Sequence, residues 1–335
     1  MLFAARSTRH MARLVAIQIR AVYIFPGFGT APSGEDFLKS GNFSRIMHRV
    51  IIGIDSPEDV IPLIQAGADE FFCGVRPETW NHDMHESPNA RISAGTSLKN
   101  FDELQNICTI AHRQGTKVFF TLNAPVTTAT FPDMKQQHDE ACRAGADGII
   151  LSDLGLFHEV RRTGIEYHVS SLLPALNADA VQFLKDCGFS RIILSRHLTA
   201  DEISKLPPMD YELFLLNEGC KNVDGYCRFD HGFGTQQEEV PACCMDYQFQ
   251  TEERRQAARL RQRFCAARTR CGACLLHTFS DRPYTFKIVS RGHPIEAKIR
   301  YVKFAKKVLA GSDAQQGFRE CFGYPCSVND CYYPQ

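Results

Sequence analysis

Two stretches, Gln65-Ala66-Gly67-Ala68-Asp69-Glu70-Phe71-Phe72-Cys73-Gly74 and Arg143-Ala144-Gly145-Ala146-Asp147-Gly148-Ile149-Ile150-Leu151-Ser152, carry the same phrase twice. In each, an amphipathic stretch ends at a glycine, the residue that most readily closes a helix C-terminus. A short apolar run follows at once. Cys187-Gly188-Phe189 ends a third stretch the same way. The apolar runs are nearly continuous, which fits strands buried on both faces by helices. Working outward, such runs occur at Val50–Ile54, Glu70–Gly74, Lys117–Leu122, Gly148–Ser152, Tyr167–Ser170, Arg191–Ser195, Glu212–Leu216 and Tyr284–Val289. Helical stretches lie between most of them, at 57–66, 100–114, 133–144, 154–162, 178–187 and 199–205, with a last one at about 294–310. Eight units predict an α/β fold, a closed (β/α)8 TIM-like barrel, with an open doubly wound sheet as the alternative.

Two connections break the rhythm. Residues 75–99 follow the second strand, and 217–283 follow the seventh. In a barrel both emerge at the C-terminal face, where active sites are built, and connections of this length are usually functional. The expected organisation is a barrel over 47–310 with a cysteine-rich insert at 217–283, then a cysteine-containing tail at 311–335. Residues 1–46 read as a leader, or as a start set upstream of Met47. That segment has Arg6, Arg9, Arg13 and Arg20 and no acid before Glu35. Its apolar run, Leu14 to Phe25, is broken by Gln18 and Arg20 and is too short and polar to span a bilayer, so no membrane partner is expected. Gly27-Phe28-Gly29 is followed by Pro32 rather than by a helix, a poor phosphate loop.

Composition narrows the classes. The chain has 335 residues, with 38 Lys plus Arg against 38 Asp plus Glu and hence zero formal charge. Nucleic-acid binding would have to rely on a local basic patch. Hydrophobic residues at 44% and charged residues at 23% exclude a disordered or collagenous chain.

Cysteine usage departs from the ordinary. Of 14 cysteines, only Cys73, Cys108, Cys142 and Cys187 precede residue 220. Disulfide frameworks belong to small secreted chains, whereas clustered thiols in a large cytoplasmic chain point to metal. The insert holds Cys220, Cys227, Cys243, Cys244, Cys265, Cys271 and Cys274. Only Cys271 and Cys274 have the tight spacing of a zinc knuckle. The wider spacings suit the separated ligand positions of an iron–sulfur cluster.

The run from Glu212 to Cys227 resembles the signature of the collagenase-like peptidase family, the U-thirty-two peptidases of unassigned mechanism. Asn89-Ala90-Arg91, Ile150-Leu151-Ser152-Asp153-Leu154, His168-Val169-Ser170, Arg191 to Arg196 and Phe286 to Gly292 agree with it in register, and the resemblance covers about 49–310. It implies a barrel carrying a [4Fe-4S] cluster. Carried over by position, the metal ligands are Cys220, Cys227, Cys244 and Cys271, with Cys243 and Cys274 as alternates. The family includes oxygen-independent hydroxylation proteins of ubiquinone, tRNA and rRNA, some dependent on prephenate, and members called proteases. The resemblance thus implies hydroxylation or related redox chemistry. The alternatives are a peptidase and a non-catalytic, cluster-bearing partner subunit. The implied partners are a small anion such as prephenate, RNA, or another protein of the same family.

Residues just past each strand should face one another at the mouth. Among them Asn89, Arg91, Asn123, Asp153, Ser170, Arg196, Lys287 and Arg291 are candidates for substrate binding, with Arg76, Ser171 and Glu218 nearby. Converging cations suit a carboxylate substrate; structural pairing with Asp153 or Glu218 is the competing reading. His82, Asp83, His85 and Glu86 read as a solvent-facing loop more than as a metal site, and Trp80 either stacks on a ring or anchors that loop. Arg254, Arg255, Arg259, Arg261 and Arg263 make a basic run, a solvated helix face or a grip on RNA phosphate. The chain has no His-Glu-x-x-His motif and no Gly-x-Ser-x-Gly elbow, so protease chemistry gains little from the sequence.

Overall fold

Eight short parallel strands close on one another in chain order. They are β1 (Arg49–Gly53), β2 (Glu70–Cys73), β3 (Lys117–Leu122), β4 (Gly148–Leu151), β5 (Glu166–Val169), β6 (Arg191–Ile193), β7 (Asp210–Leu216) and β8 (Tyr284–Ile288). Helices α1 (Val60–Ala66), α2 (Phe101–His112), α3 (Phe131–Arg143), α4 (Leu154–Val160), α5 (Ala178–Cys187), α6 (Ala200–Ser204) and α7 (Ile295–Leu309) cover the outside, and α8 (Ala314–Phe322) follows. The expected (β/α)8 barrel is therefore the fold, and the open sheet is excluded. This computed structural model describes residues 47–78, 80, 87–90, 95–217, 219, 224–226, 270–327 and 331–333. All of them belong to one compact unit, Ile46–Gln335. The expected leader, 1–46, and most of the expected cysteine-rich insert lie outside the described residues. Among the described residues no helix is long and apolar enough to cross a membrane.

The repeated phrase does one job in both places. Gly67 and Gly145 have φ of 108° and 94°, a conformation glycine adopts without a Cβ clash, and each closes a helix. The aspartate two residues on then meets the neighbouring strand. Asp69 accepts the Val50 N–H at 2.6 Å and donates its own N–H to the Val50 carbonyl at 2.9 Å. Asp147 repeats this with Val118, at 2.7 and 2.9 Å. The phrase thus stops a helix and anchors the start of the adjacent strand.

The barrel lumen carries charge as well as apolar side chains. Arg191, 2% exposed, grips Glu70 through two nitrogens at 2.6 and 3.0 Å and reaches Asp210 at 2.9 Å. Glu212, fully buried, accepts from Lys287 at 2.5 Å and lies 3.5 Å from Arg191. Arg49 completes the lattice with Asp210 at 2.7 Å and Glu70 at 3.3 Å. Barrel lumens are more often filled by branched apolar residues, and buried charges persist only when paired and hydrogen-bonded. Glu70, Arg191, Glu212 and Lys287 fell within runs read as apolar, and the interior lattice they form with Arg49 and Asp210 was not anticipated.

Helix α8 was not anticipated either. Asp313 caps it by accepting the Gln316 N–H at 2.7 Å, and Gly323, at φ 81°, closes it. A Cβ on Gly317 would come within 2.9 Å of the Phe304 ring on α7, so glycine permits the close approach there. Beyond α8 the chain returns to the barrel. Tyr332 donates its N–H to the Cys271 carbonyl at 2.9 Å. Its hydroxyl donates to the Asn217 carbonyl, and the Tyr333 hydroxyl to the Phe214 carbonyl at 2.6 Å.

Candidate functional site at the barrel mouth

The C-terminal strand ends place most of the described sequence candidates in contact, as two hydrogen-bonded pairs and a group of cations. Asn89, 1% exposed, follows β2 and donates to the Val75 carbonyl at 3.3 Å and to Ser97 at 3.1 Å. Its amide oxygen accepts from Arg291, itself 4% exposed, at 3.3 Å. Asn123, after β3, donates to the Ser170 hydroxyl at 2.8 Å across the mouth. The Asn123 Oδ1 atom is buried without a hydrogen-bond partner, as is Thr121 Oγ1 one layer below. Two unsatisfied buried oxygens in one wall are costly unless something donates to them.

The cations gather on the other wall. The Arg196 guanidinium lies 3.5 Å from the centre of the Phe214 ring and pairs with Asp224 at 2.5 Å. Lys287 Nζ lies 3.6 Å from the Phe72 ring centre, and the Arg291 guanidinium 5.7 Å from the same ring. Burial depresses the Lys287 pKa; Glu212 opposes that, while Arg291 and Arg196 push it lower still. Burial also resists ionisation of Glu212, but Lys287 and Arg191 overcome it and hold the carboxyl below its ordinary range.

Close packing holds this wall. A Cβ on Gly74 would fall 2.4 Å from Asn89 Nδ2, and one on Gly53 2.8 Å from Arg291 Cγ. Ala90 and Asn217, both at the mouth, have φ of 50° and 66°; such backbone persists where packing over-determines it.

The remaining candidates behave differently. Asp153 caps α4, accepting the Leu156 N–H at 2.7 Å, which gives it a structural task. Lys287 lies within the lumen on Glu212 instead of on the rim. The ion pairing weighed as the competing reading does occur for Arg196, with Asp224, a residue the sequence did not single out. Trp80 packs against the core. Arg91, Glu218, His82, Asp83, His85, Glu86 and the basic run from Arg254 lie outside the described residues.

Of the expected cluster ligands, Cys220, Cys227, Cys243 and Cys244 also lie outside them. Cys271 and Cys274 are described, and they share a small pocket with Cys326 and Cys331 of the tail. That pocket has a volume of about 10 Å³, room for about one water-sized sphere. Thiols are the donors that an iron–sulfur cluster takes, so Cys271 and Cys274 suit the expected fourth position by their donor chemistry.

Ser195, His197 and Asp224 also lie together, but not as a hydrolytic relay. Ser195 Oγ and Asp224 Oδ2 both approach the same ring nitrogen of His197, at 3.2 and 3.9 Å. Ser195 is fully buried, and Asp224 is engaged by Arg196. A relay needs the serine and the carboxylate on opposite ring nitrogens.

Comparison with known proteins gives the family. Residues 55–321 match Peptidase family U32, and the chain belongs to that family. It is 30% identical over 145 residues to a 23S rRNA 5-hydroxycytidine synthase of Escherichia coli, covering 42% of this chain and 22% of that protein. It is 31% identical over 167 residues to tRNA hydroxylation protein P of the same organism, covering 48% and 34%. It is 24% identical over 196 residues to a collagenase of Porphyromonas gingivalis, covering 53% and 44%. The chain thus spans less than half the length of each of these relatives.

Proposed function

We propose that the chain performs oxygen-independent hydroxylation or closely related redox chemistry on an anionic substrate held at the barrel mouth. The carrying observation is the convergence of Arg196, Lys287 and Arg291 in a barrel whose opposite wall carries the partnerless oxygens of Asn123 and Thr121. Cations on one wall and acceptors on the other suit a ligand with both negative charge and hydroxyl groups. Prephenate has that chemistry, and so does an RNA strand, the substrate type in the names of two relatives. Arg91 is proposed as a further carboxylate partner. A [4Fe-4S] cluster on insert thiols, Cys220, Cys227 and Cys244 among them, would supply electron transfer. Residues of the mouth bind and orient the substrate, and Lys287, held by Glu212 and stacked on Phe72, adds a donor below them. The peptidase reading draws no support from the Ser195–His197–Asp224 geometry. The setting proposed is the cytoplasm, where thiols stay reduced.

The test starts with anaerobic purification of the full chain, with iron and sulfide assays and titration with prephenate and with an RNA oligonucleotide. The expectation is about four iron and four sulfide per chain, as a cubane requires, lost in Cys220→Ala. Arg291→Ala should weaken anion binding about tenfold or more, because a charge-assisted hydrogen bond contributes roughly 1.5–3 kcal/mol. Gelatin cleavage by Cys220→Ala, with no anion bound by the intact chain, would replace this reading with the peptidase.

A further inference from the structure

The C-terminal tail reaches the mouth through Tyr332, a residue only 1% exposed. Its N–H donates to the Cys271 carbonyl at 2.9 Å, and its hydroxyl donates to the Asn217 carbonyl. The hydroxyl oxygen is also hydrogen-bonded to the side chain of Arg196, a group that can only donate. The Tyr332 ring centre lies 6.2 Å from that of Phe214, the ring on which the Arg196 guanidinium stacks at 3.5 Å. Arg196 is thus held on three sides, by a ring face, by the Asp224 carboxylate and by a phenol. Arg196 follows β6, Phe214 lies in β7 and Tyr332 comes from beyond α8, so distant parts of the chain meet on one guanidinium.

On the reading that the mouth holds an anion, we infer that Tyr332 is a positioning residue of that site, fixing the Arg196 fork in the orientation that receives the substrate. A guanidinium makes two parallel N–H bonds to a carboxylate only when its plane and edges are set. Phe214 sets the plane, and Asp224 takes one edge, but a carboxylate also offsets the charge a substrate would meet. A phenol steadies the fork without cancelling that charge. Burial lifts the Tyr332 pKa above its ordinary value, so the hydroxyl stays neutral. Left-handed backbone marks both ends of the clasp. Tyr333 has φ of 59°, and Asn217, whose carbonyl takes the Tyr332 hydroxyl, has φ of 66°. Such angles persist where surrounding contacts over-determine them, and they cluster at ligand clamps. A Cβ on Gly272 would lie 2.9 Å from the Tyr333 ring, so glycine lets the tail close there.

Tyr333 supplies the contrast. It is 2% exposed, and its hydroxyl donates to the Phe214 carbonyl at 2.6 Å. Both tyrosines therefore anchor the tail to backbone carbonyls at the end of β7, and the Tyr332 hydroxyl alone of the two also takes a bond from Arg196. If the tail only seals the barrel, the two hydroxyls are equivalent. If Tyr332 sets the Arg196 fork, they are not.

The experiment compares the full chain with Tyr332→Phe and Tyr333→Phe, each of which loses one hydroxyl and keeps its ring. Phenylglyoxal labelling of Arg196, followed by peptide mass mapping, reads the fork without any substrate. Tyr332→Phe should label Arg196 several-fold faster and bind prephenate about tenfold more weakly, as the loss of one hydrogen bond to a charged group implies. Tyr333→Phe should lower the melting temperature to a similar extent and leave labelling and affinity unchanged. No prephenate binding by the intact chain, with the labelling contrast kept, would end the substrate reading while upholding the grip of Tyr332 on Arg196. Equal labelling of Arg196 in the two variants would overturn the assignment even where prephenate binds. Should Tyr332→Phe fail to fold, NMR of tyrosine labelled at its oxygen-bearing ring carbon takes its place. The Tyr332 signal should then move between the unaltered chain and Arg196→Lys, and an unmoved signal would overturn the assignment equally.

Discussion

Gly74 shows how one missing Cβ sets the mouth. Its backbone lies against Asn89, whose oxygen receives the Arg291 guanidinium. Gly74→Ala should push Asn89 aside, destabilise the fold by about 1–3 kcal/mol as overpacking does, and weaken anion binding in the same protein. Thermal melts and a prephenate titration check both effects; unchanged binding would show that Asn89 does not position Arg291. Lys287 poses the complementary case. Lys287→Met leaves Glu212 ionised and buried with only the 3.5 Å contact to Arg191. Removing one partner of a buried pair costs about 3–5 kcal/mol. Lys287→Met combined with Glu212→Gln should recover part of that loss in denaturant titrations, since the double change leaves no uncompensated charge. The pairing of Asn89 with Arg291 was not readable from sequence. Each residue was recognisable only by its place after a strand, and their contact spans 202 positions.

Among the elements, the two copies of the repeated phrase make equivalent contacts, so equal changes should have comparable effects. Asp69→Ala and Asp147→Ala each strip a strand-initial N–H of its carboxylate, a loss of about 1–3 kcal/mol if that donor is left unsatisfied. Urea midpoints of the two variants should fall together; a large disparity would mean the aspartates act through their other partners, Lys306 and His112. The helices and strands were legible because periodicity and glycine stops are local. Helix α8 escaped that reading although its signals, Asp313 before and Gly323 after, are also local. It is short and stands outside the strand–helix rhythm, so no repeat frames it.

Across the whole molecule, the buried ionisable groups make stability depend on acid. Hydrogen bonds from His168 and Lys117 hold Glu166 down, from an ordinary 4.5 to about 2, despite partial burial. Between those values the unfolded chain takes up a proton that the folded one refuses, so stability falls as pH falls through that window. His138 and His168 act in the same direction at higher pH. Burial lowers both below 6.5, the folded chain keeps them neutral, and the unfolded chain protonates first. Melting temperature should therefore decline as pH drops below 6.5 and decline again below 4.5. His168→Gln should flatten the first decline, and an unaltered slope in that variant would assign it to other groups.

The sequence by itself determined the barrel, its eight strands in order and the family. All three follow from patterns that lie along the chain: apolar runs at fixed intervals, glycine stops and spaced cysteines. Only the tertiary structure decided which charges meet inside the lumen and which thiols share a pocket. Arg191 and Glu70 are 121 positions apart, and Cys271 meets Cys331 only because the tail folds back onto β7. Such contacts leave no period in the sequence, because barrel closure and tail docking bring together residues whose separation along the chain carries no information about their distance in space.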